Sequence, residues 1–366
     1  MSKKIILSVT NDLVTDQRVH KVATTLQNNG YDVTLIGRKL DGSLPINREY
    51  KTKRFRLFFN KKIWFYAEYN LRLFFYLLFN KFDLYISNDL DTLLPNFIIS
   101  KLKRKALVYD SHELFCEVPE LNERKFQKTV WRKLESFLLT KITNNITVCK
   151  SISEEYEKLY GCKFEVVRNV PSQKDKCGSK VKKDVVLIYQ GALNKDRGIE
   201  LMVESMKYMA DYKLWIIGSG DLEEELRLLI KKVGVDENVN LFGRKNFEEL
   251  TRITCKASLG LSLERDTSAS YHFALPNKLF DYIQANIPVV VSNLPEMRRI
   301  VDDYGVGEVF YGGTPKDLAV QIKAIITDGV KYTEYVKKSK LASEKLIWEN
   351  EYKVYLNVVE KALAKV

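Results

Sequence analysis

The chain has 366 residues, a length that suits two domains of ordinary size. Hydrophobic residues make up 45% and charged residues 29%, which is typical of globular proteins and excludes a disordered chain. No apolar run reaches the roughly 18 residues of a membrane-spanning helix, and the apolar stretch near the N-terminus is too short for a signal peptide, so we expect a cytoplasmic protein.

The positive charge is concentrated in the first half of the chain. Residues 1–170 contain 29 Lys and Arg against 19 Asp and Glu, a net charge of +10, whereas the remainder contains 30 against 28. A basic half of this kind favours an anionic partner, which could be a membrane surface, a phosphorylated lipid or a nucleic acid.

The first half alternates between strands and helices. Residues 4–10 form a short apolar run typical of a strand buried on both faces, and residues 16–29 carry apolar side chains at helical spacing. Further strands are predicted at 31–37, 83–87, 106–109, 145–148 and 164–167. Repeated strand–helix units predict a parallel, doubly wound sheet.

A polar, lysine-rich segment at 171–184 lacks apolar periodicity and is predicted to be a linker. The strand–helix pattern then restarts, with strands predicted at 185–189, 212–217, 239–242, 257–263, 288–292 and 307–310. The fold class is therefore α/β, with two tandem doubly wound (Rossmann-like) parallel-sheet domains, residues 1–170 and 185–366, that face an interdomain cleft. One alternative for the last helix is that it packs back on the N-terminal domain. Ligands of such sheets bind beyond the carboxyl ends of the strands.

Two glycine-containing turns follow strands of the second domain. Gly191 ends the first strand, and Arg197 follows at a helix start, where a guanidinium and free amides suit a diphosphate. A plain turn with a solvated charge is the alternative. Gly218 opens a Gly-Ser-Gly turn, but Glu223 occupies the place of the third glycine of a dinucleotide fingerprint, which favours an ordinary tight turn.

The most specific stretch of the second domain is a helix start. Pro276 suits the first helical turn, so three amides are expected to be free to face an anion, those of Asn277, Lys278 and Leu279. Asp281, one turn further, could accept hydrogen bonds from sugar hydroxyls. We expect Lys278 to be an exposed charge whose removal leaves folding intact. An ordinary capped core helix is the alternative, but it does not account for a lysine and an aspartate at this start.

Polar loops follow three strands of the first domain and are expected to converge at one edge of its sheet. The first loop holds Asp16 and Arg18, the second holds Asp89, and the third holds Asp110 and His112. A lone histidine is usually structural. His112 is an exception to that expectation because it lies at a strand end among acids.

The sequence offers no metal-binding pattern near the anion-binding segments. There is no C-x-x-C pair, no P-loop and no G-x-S-x-G motif. Asp89 and Asp91 have the spacing of a metal-binding pair, but they lie in the other domain. We therefore expect no metal and no cofactor.

In their order and spacing these motifs resemble the GT-B glycosyltransferases of the large retaining group, family 4 of the sugar-transferase classification. The resemblance runs from Asn11 to about Asp328 and is carried by residues 30–34, 110–113, 167–169, 191–198, 218–220, 241–243, 275–282 and 287–290. It implies a metal-independent, retaining transfer of a hexosyl-type sugar. The donor would be a nucleotide-diphosphate sugar and the acceptor a glycan or lipid-linked molecule, in surface polysaccharide synthesis.

The resemblance also assigns roles around the donor. Arg197 matches the family's second basic residue on the diphosphate, whereas the first is replaced by Ala192. Asp281 matches the second acid of the paired-glutamate motif, which binds the ribose. The first acid would fall at Phe273 and is absent, and Glu264 could substitute for it.

The remaining implied contacts follow from the same resemblance. The helix start at Pro276 matches the one whose amides hold the distal phosphate, and Gly243 with Arg244 match the region that receives the nucleobase. The implied donor-binding residues are Gly191, Gly218, Gly243, Arg244, Glu264, Pro276, Asn277, Leu279 and Asp281. The implied catalytic residues are His112, Arg197 and Lys278, and the implied acceptor-binding residues are Asp16, Arg18, Asp89 and Asp110.

Three alternatives stay open at this point. A sugar-nucleotide epimerase on the same scaffold would need more acids and histidines around the donor. An NAD-dependent oxidoreductase is disfavoured by the incomplete glycine fingerprint. A non-catalytic nucleotide-sugar-binding protein is favoured only by the missing first acid.

Residues 51–80 combine seven Lys or Arg with eleven aromatic residues and a single acid, Glu68. Basic residues interleaved with aromatic residues suit the headgroup region of an anionic membrane, so this segment predicts peripheral binding at the inner face of the cell membrane. Stacking of single-stranded nucleic acid is the weaker alternative, and no nucleic acid partner is expected. Ile63, Ala67, Asn70, Leu71, Phe74 and Leu78 step at helical spacing, which predicts that part of the segment packs on the sheet instead.

Overall fold

The structure, a computed structural model, describes residues 2–14, 16–118, 121, 124–173 and 184–365. The chain divides into two compact units. Unit 1 consists of Met1–Asn169 with Glu351–Val366, and unit 2 consists of Val170–Asn350. Most of the predicted linker, residues 174–183, lies outside the described residues.

Unit 1 contains a seven-stranded parallel sheet in the order β3-β2-β1-β4-β5-β6-β7. Its strands are β1 (Lys4–Asp12), β2 (Asp32–Lys39), β3 (Lys51–Arg56), β4 (Leu84–Asn88), β5 (Ala106–Ser111), β6 (Asn145–Thr147) and β7 (Glu165–Val166). The helices between them are α1 (Gln17–Asn28), α2 (Lys62–Phe79), α3 (Leu93–Lys103), α4 (Lys125–Leu139) and α5 (Lys150–Tyr160). Every residue of β4 and β5 is buried, as the apolar runs predicted for strands covered on both faces.

Two features of unit 1 differ from the sequence expectation. Strand β3 was not predicted, because Phe55 is its only buried residue and no apolar alternation marks it. The face of α2 that packs inward was assigned wrongly. Ile63 and Leu71 of the predicted inner face are exposed, and the buried residues are instead Phe65, Tyr69, Leu73 and Leu77. Two apolar stripes lie on this helix, so periodicity alone could not select the inner one.

Unit 2 contains a six-stranded parallel sheet in the order β10-β9-β8-β11-β12-β13. Its strands are β8 (Val185–Gln190), β9 (Tyr212–Ile217), β10 (Val239–Leu241), β11 (Leu259–Ser262), β12 (Val289–Ser292) and β13 (Gly307–Phe310). Its helices are α6 (Ile199–Ser205), α7 (Glu223–Val233), α8 (Phe247–Thr254), α9 (Ala269–His272), α10 (Asn277–Gln284), α11 (Pro295–Tyr304), α12 (Pro315–Thr327) and α13 (Gly329–Lys345).

The sheet of unit 2 separates two hydrophobic cores, because successive side chains of a strand point to opposite faces. In β8, Leu187 and Tyr189 join the core beneath α6, α7 and α12, while Val186 and Ile188 join the core beneath α10 and α11. The predicted strands of both units are present, with ends shifted by no more than two residues. The α/β class with two doubly wound parallel sheets is therefore confirmed.

The last helix, α14 (Trp348–Ala364), lies mainly in unit 1. Glu351 near its start accepts hydrogen bonds from the backbone amide of Arg168 at 2.9 Å and from Nε of the same arginine at 2.8 Å. Among the described residues, no helix has the length and apolar character needed to cross a membrane.

Candidate functional site

Two strand ends of unit 2 interlock through glycine. Gly191 follows β8 with φ of 139°, and Gly218 follows β9 with φ of 152°, both in the region that favours glycine. A Cβ on Gly218 would lie only 1.8 Å from the carbonyl oxygen of Gly191, so no other residue fits there. The amide of Gly191 donates to Ile217 at 2.9 Å, and the amide of Gly218 donates to Gly243 at 3.0 Å. Three predicted donor-site glycines, at 191, 218 and 243, thus share one hydrogen-bonded edge of the sheet.

A fourth glycine, Gly198, brings the loop after β8 against the end of β11. Gly198 has φ of 69°, and a Cβ placed on it would lie 2.1 Å from the carbonyl oxygen of Leu263. This close approach places the guanidinium of Arg197 3.8 Å from Oε1 of Glu264 and 4.8 Å from the ring centroid of Tyr271. Arg197 keeps about a quarter of its side chain exposed, at 26%.

Glu264 and Lys278 form a buried ion pair beside Arg197. Nζ of Lys278 donates to Oε1 of Glu264 at 2.6 Å, and the hydroxyl of Ser262 donates to Oε2 at 2.8 Å. Burial alone would raise the pKa of the Glu264 carboxyl, but Lys278 lies so close that the pKa falls below its usual value and the carboxylate stays ionised. The ammonium of Lys278 also lies 4.0 Å from the ring centroid of Tyr189.

The burial of Lys278 corrects one sequence expectation. Its side chain is 7% exposed and Glu264 is fully buried, so Lys278 is not a solvated charge whose removal leaves folding intact. Removing either partner would leave the other charge buried without compensation, which is strongly destabilising. The expectation failed because the sequence does not reveal that Glu264 and Lys278 meet.

The start of α10 was predicted nearly correctly. Pro276 is the N-cap residue, with φ of −72° and ψ of 139°, and the helix begins at Asn277. The amide of Leu279 was predicted to be free, but it donates a hydrogen bond to the carbonyl of Pro276 at 3.1 Å. The amides of Asn277 and Lys278 belong to the first turn, where the helix itself offers no acceptor.

Asp281 is oriented by a hydrogen-bonded chain that the sequence did not predict. Nε2 of Gln190 donates to Asp281 at 2.8 Å, and the hydroxyl of Thr254 donates to Oε1 of Gln190 at 2.7 Å. Gln190 is 3% exposed. A glutamine at the end of an otherwise apolar strand was the one available signal. Arg244, beyond Gly243, is exposed to solvent.

In unit 1, Arg18 and Asp110 form a buried ion pair. The guanidinium donates to Oδ1 of Asp110 at 2.8 Å and to the carbonyl of Val167 at 2.9 Å. Burial works against ionisation, but Arg18 and then His112 lower the pKa of Asp110 to about 2. Arg18 is 3% exposed and Asp110 is fully buried. In this arrangement the two side chains satisfy each other's charge, and their assignment as acceptor-binding residues stays a prediction.

His112 lies between two carboxylates. Nδ1 is 3.2 Å from Oδ2 of Asp89, and Nε2 is 3.7 Å from Oδ2 of Asp110. Burial would lower the pKa of the imidazole, but Asp89 and Asp110 outweigh it and raise the pKa to about 9. The backbone amide of His112 also donates to Oδ1 of Asp89 at 2.8 Å. His112 is thus a cation at neutral pH, held in one orientation at the end of β5.

Asp89 adopts a backbone conformation that glycine favours, with φ of 60° and ψ of 167°. Asp91, two residues on, is buried and accepts a hydrogen bond from the hydroxyl of Thr10 at 2.6 Å. Burial and the neighbouring Asp89 raise the pKa of Asp91 to about 7.

Asp16 caps α1, accepting a hydrogen bond from the amide of Val19 at 3.1 Å. Within the described ranges, no group of three or more His, Cys, Asp or Glu has metal-binding geometry.

Two family models match successive parts of the chain. The family model for group 1 glycosyl transferases matches residues 172–342, and the model for glycosyltransferase family 4 matches residues 16–171. An uncharacterised glycosyltransferase of Methanocaldococcus jannaschii is 25% identical over 183 residues. That match spans 49% of this chain and 45% of the length of the archaeal protein.

Solved structures with the same fold include two glycosyltransferases that align along their whole length. Sucrose-phosphate synthase from Thermosynechococcus elongatus aligns over 100% of both chains with a TM-score of 0.83 and 15% identity. HepE from Anabaena, in complex with UDP-glucose, aligns over 99% of this chain and 100% of its own, with a TM-score of 0.74 and 13% identity. The two units define a GT-B glycosyltransferase fold. The two family matches together run from residue 16 to residue 342, and the chain belongs to the group 1 glycosyltransferases.

Proposed function

We propose that the protein transfers a sugar from a nucleotide-diphosphate sugar to a glycan or lipid-linked acceptor, with retention of the anomeric configuration. The observation that supports this most directly is the grouping of two cations, Arg197 and Lys278, around the single carboxylate of Glu264. One negative and two positive charges leave a net charge of +1 at a strand end, beside the open first turn of α10. An anionic diphosphate suits such a site.

In the proposed reaction, unit 2 stabilises the departing nucleoside diphosphate. Negative charge grows on the diphosphate as the bond to the sugar breaks, so preorganised donors lower the barrier. Arg197 and Lys278 supply these donors, and the amides of Asn277 and Lys278 add to them. Asp281, held by Gln190, is proposed to accept hydrogen bonds from the ribose. The protein then needs no metal ion to neutralise the leaving group.

The acceptor is proposed to bind to unit 1 near His112. With a pKa of about 9, the imidazolium is a hydrogen-bond donor and a positive charge at neutral pH. Retention would follow if the acceptor hydroxyl attacks from the side that the diphosphate leaves. The acceptor-side assignments of Asp16, Arg18, Asp89 and Asp110 are retained as proposals.

We also propose that the protein acts in surface polysaccharide synthesis. Two further structures with this fold are named as lipopolysaccharide enzymes, WaaG, involved in lipopolysaccharide biosynthesis, and WaaB, an outer core galactosyltransferase, at 14% and 16% identity. The basic, aromatic segment 51–80 supports peripheral association with the inner face of the cell membrane. Such an association would bring the protein to a lipid-linked acceptor.

Incubation of the protein with a panel of nucleotide sugars and candidate acceptors, followed by mass spectrometry and by NMR of the anomeric proton, tests the proposal. The expected result is a glycosylated acceptor whose anomeric configuration equals that of the donor. An epimerised donor formed without any acceptor would favour the epimerase alternative. Binding of a donor without turnover on any acceptor would favour a binding protein, and an inverted product would refute retention.

A further inference from the structure

Three helices of unit 1 lie side by side on one face of its sheet. The connections β3–α2–β4, β4–α3–β5, β5–α4–β6 and β6–α5–β7 all step in one direction along the strand order, whereas β1–α1–β2 steps in the other. Parallel crossovers are right-handed, so α2, α3 and α4 share a face with α5, and α1 lies on the opposite one. The ring of Tyr66 on α2 meets the ring of Trp131 on α4 at 5.4 Å between centroids, which joins the two helices directly.

Each of these three helices exposes large apolar side chains in addition to those that it buries. Trp64 and Phe79 on α2 are 64% and 78% exposed, and Phe126 on α4 is 74% exposed. The set, which we call the three-helix face, comprises Ile63, Trp64, Leu71, Phe75 and Phe79 on α2, Leu94, Ile98 and Leu102 on α3, and Phe126, Val130 and Phe137 on α4. Scattered apolar residues are normal on a surface, but eleven large ones exposed on three neighbouring helices mark a candidate interaction site.

The charge on the same three helices has one sign. Their sequences contain eight Lys or Arg and two acids, a net charge of +6. Several of these cations have partners, since Lys128 and Arg132 on α4 pair with Glu117 and Lys103 on α3 donates to three backbone carbonyls. Both acids are already engaged. Glu68 accepts hydrogen bonds from the amides of Phe58 and Phe59, and Glu135 is buried and accepts from the hydroxyl of Tyr160. The ammonium of Lys141, just beyond α4, lies 3.2 Å from the ring centroid of Phe137.

From this arrangement we infer that the three-helix face docks on an anionic lipid bilayer. Aromatic and aliphatic side chains enter the boundary between headgroups and acyl chains, while the surrounding lysines and arginines contact anionic headgroups. The inference rests on the proposed membrane association and extends it beyond residues 51–80 to α3 and α4. It does not depend on the proposed sugar transfer.

The sign of the charge argues against a second copy of the chain as the occupant. A symmetric dimer would place the same net positive patch against itself, and Glu117, the acid that pairs with Lys128 and Arg132, is already engaged. An anionic membrane removes that repulsion, because its headgroups supply the counter-charge.

Co-sedimentation of the full chain with vesicles tests the inference. Vesicles of phosphatidylcholine alone are compared with vesicles that also contain phosphatidylglycerol, at low and at high salt. We expect binding only to the anionic vesicles and weaker binding in salt. Replacing Phe126 and Phe137 by Ser on α4, or Ile98 and Leu102 by Ser on α3, should weaken the partitioning about tenfold or more, since each pair removes two apolar anchors.

The matched control is Leu228→Ser with Val320→Ser, two residues of unit 2 that are 68% and 60% exposed. This pair should bind vesicles like the unmodified protein, and circular dichroism should show that all variants are folded. Absence of binding to anionic vesicles, or α3 and α4 variants that bind normally, would overturn the inference. So would a concentration-dependent dimer in sedimentation velocity that the α4 substitutions dissolve. Donor turnover on a soluble acceptor is measured in parallel, so a failure of the proposed sugar transfer is seen separately.

Discussion

Lys278 donates a hydrogen bond to Glu264 across 2.6 Å, and the burial of both side chains makes this pair structural as well as functional. The same ammonium that we propose to face the diphosphate is the counter-ion of a carboxylate that solvent does not reach. Loss of activity in a Lys278 variant therefore has two physical sources, and they are separable.

The Lys278→Met variant is expected to lose about 3–5 kcal/mol of unfolding free energy, because Glu264 is left as an unpaired buried charge. Adding Glu264→Gln should restore a large part of that stability without restoring sugar transfer. Urea denaturation of the single and double variants measures the effect. A single variant as stable as the unmodified protein would show that the pair contributes nothing to folding.

The Arg197→Ala variant should reduce kcat/KM by about 100-fold or more, since one charge-assisted contact to the leaving group is worth roughly 2–4 kcal/mol in the transition state. Its stability should change little, because Arg197 lies 3.8 Å from Glu264 and is partly exposed. Arg227→Ala, which breaks only a surface pair with Glu223, serves as the control and should retain full activity. Equal activity of both variants would remove Arg197 from the donor site.

The Gly198→Ala variant should be far less stable than the Gly234→Ala variant, although the two glycines have nearly the same φ, 69° and 72°. Both substitutions incur the strain of a left-handed backbone, about 1–2 kcal/mol. Only Gly198 adds a clash, because its Cβ would lie 2.1 Å from the carbonyl of Leu263, whereas nothing lies within 4 Å at Gly234. Thermal denaturation of the two proteins gives the comparison. Equal losses would show that the loop before α6 can move away from β11.

The contribution of His112 to stability should depend on pH. Its pKa is about 9 in the folded protein and about 6.5 in an unfolded chain, so the folded state binds its proton more tightly. This contribution is fully present below about pH 6.5 and is lost as the pH rises through 9. The free energy of unfolding is measured at each pH for the unmodified protein and for His112→Gln. The difference between the two values should shrink across this window. A difference that is constant from pH 6 to about 9.5 would contradict the imidazolium assignment.

Chelation should leave sugar transfer intact, because the proposed mechanism neutralises the leaving group with Arg197 and Lys278 instead of a metal ion. The measurement is the transfer rate before and after treatment with EDTA and removal of the chelator. If activity disappeared and returned only with manganese or magnesium, the mechanism would need revision, and the carboxylates of Asp89 and Asp91 would be the first place to look.

The strands, the start of α10 and the glycine turns after β8 and β9 were predictable because each leaves a local signal, such as an apolar run, a proline or a glycine. Ion pairs between distant segments of the chain were not predictable. Nothing in the sequence near Glu264 indicates that Lys278, fourteen residues later, turns inward to meet it, and nothing near Arg18 indicates Asp110. For the same reason the sequence predicted an exposed charge at Lys278, where the structure has a buried ion pair.

The prediction of which face of α2 packs inward was wrong for a different reason. A helix with apolar residues on two sides can pack on the sheet with either side, and its contacts with β1, β2 and β3 decide between them. Tyr69 marks the inner side through a hydrogen bond from its hydroxyl to the carbonyl of Val9. The ambiguity that misled the sequence interpretation is the same property that leaves the three-helix face apolar.

The backbone of Asp89 has a consequence for protein engineering. Glycine would adopt φ of 60° and ψ of 167° without strain, whereas aspartate does so at a cost of about 1–3 kcal/mol. What aspartate adds is a carboxylate that binds both the backbone amide and Nδ1 of His112. Glycine at position 89 would therefore remove the backbone strain together with the acid that holds the imidazole, and the heat resistance of that variant would report the difference between the two effects.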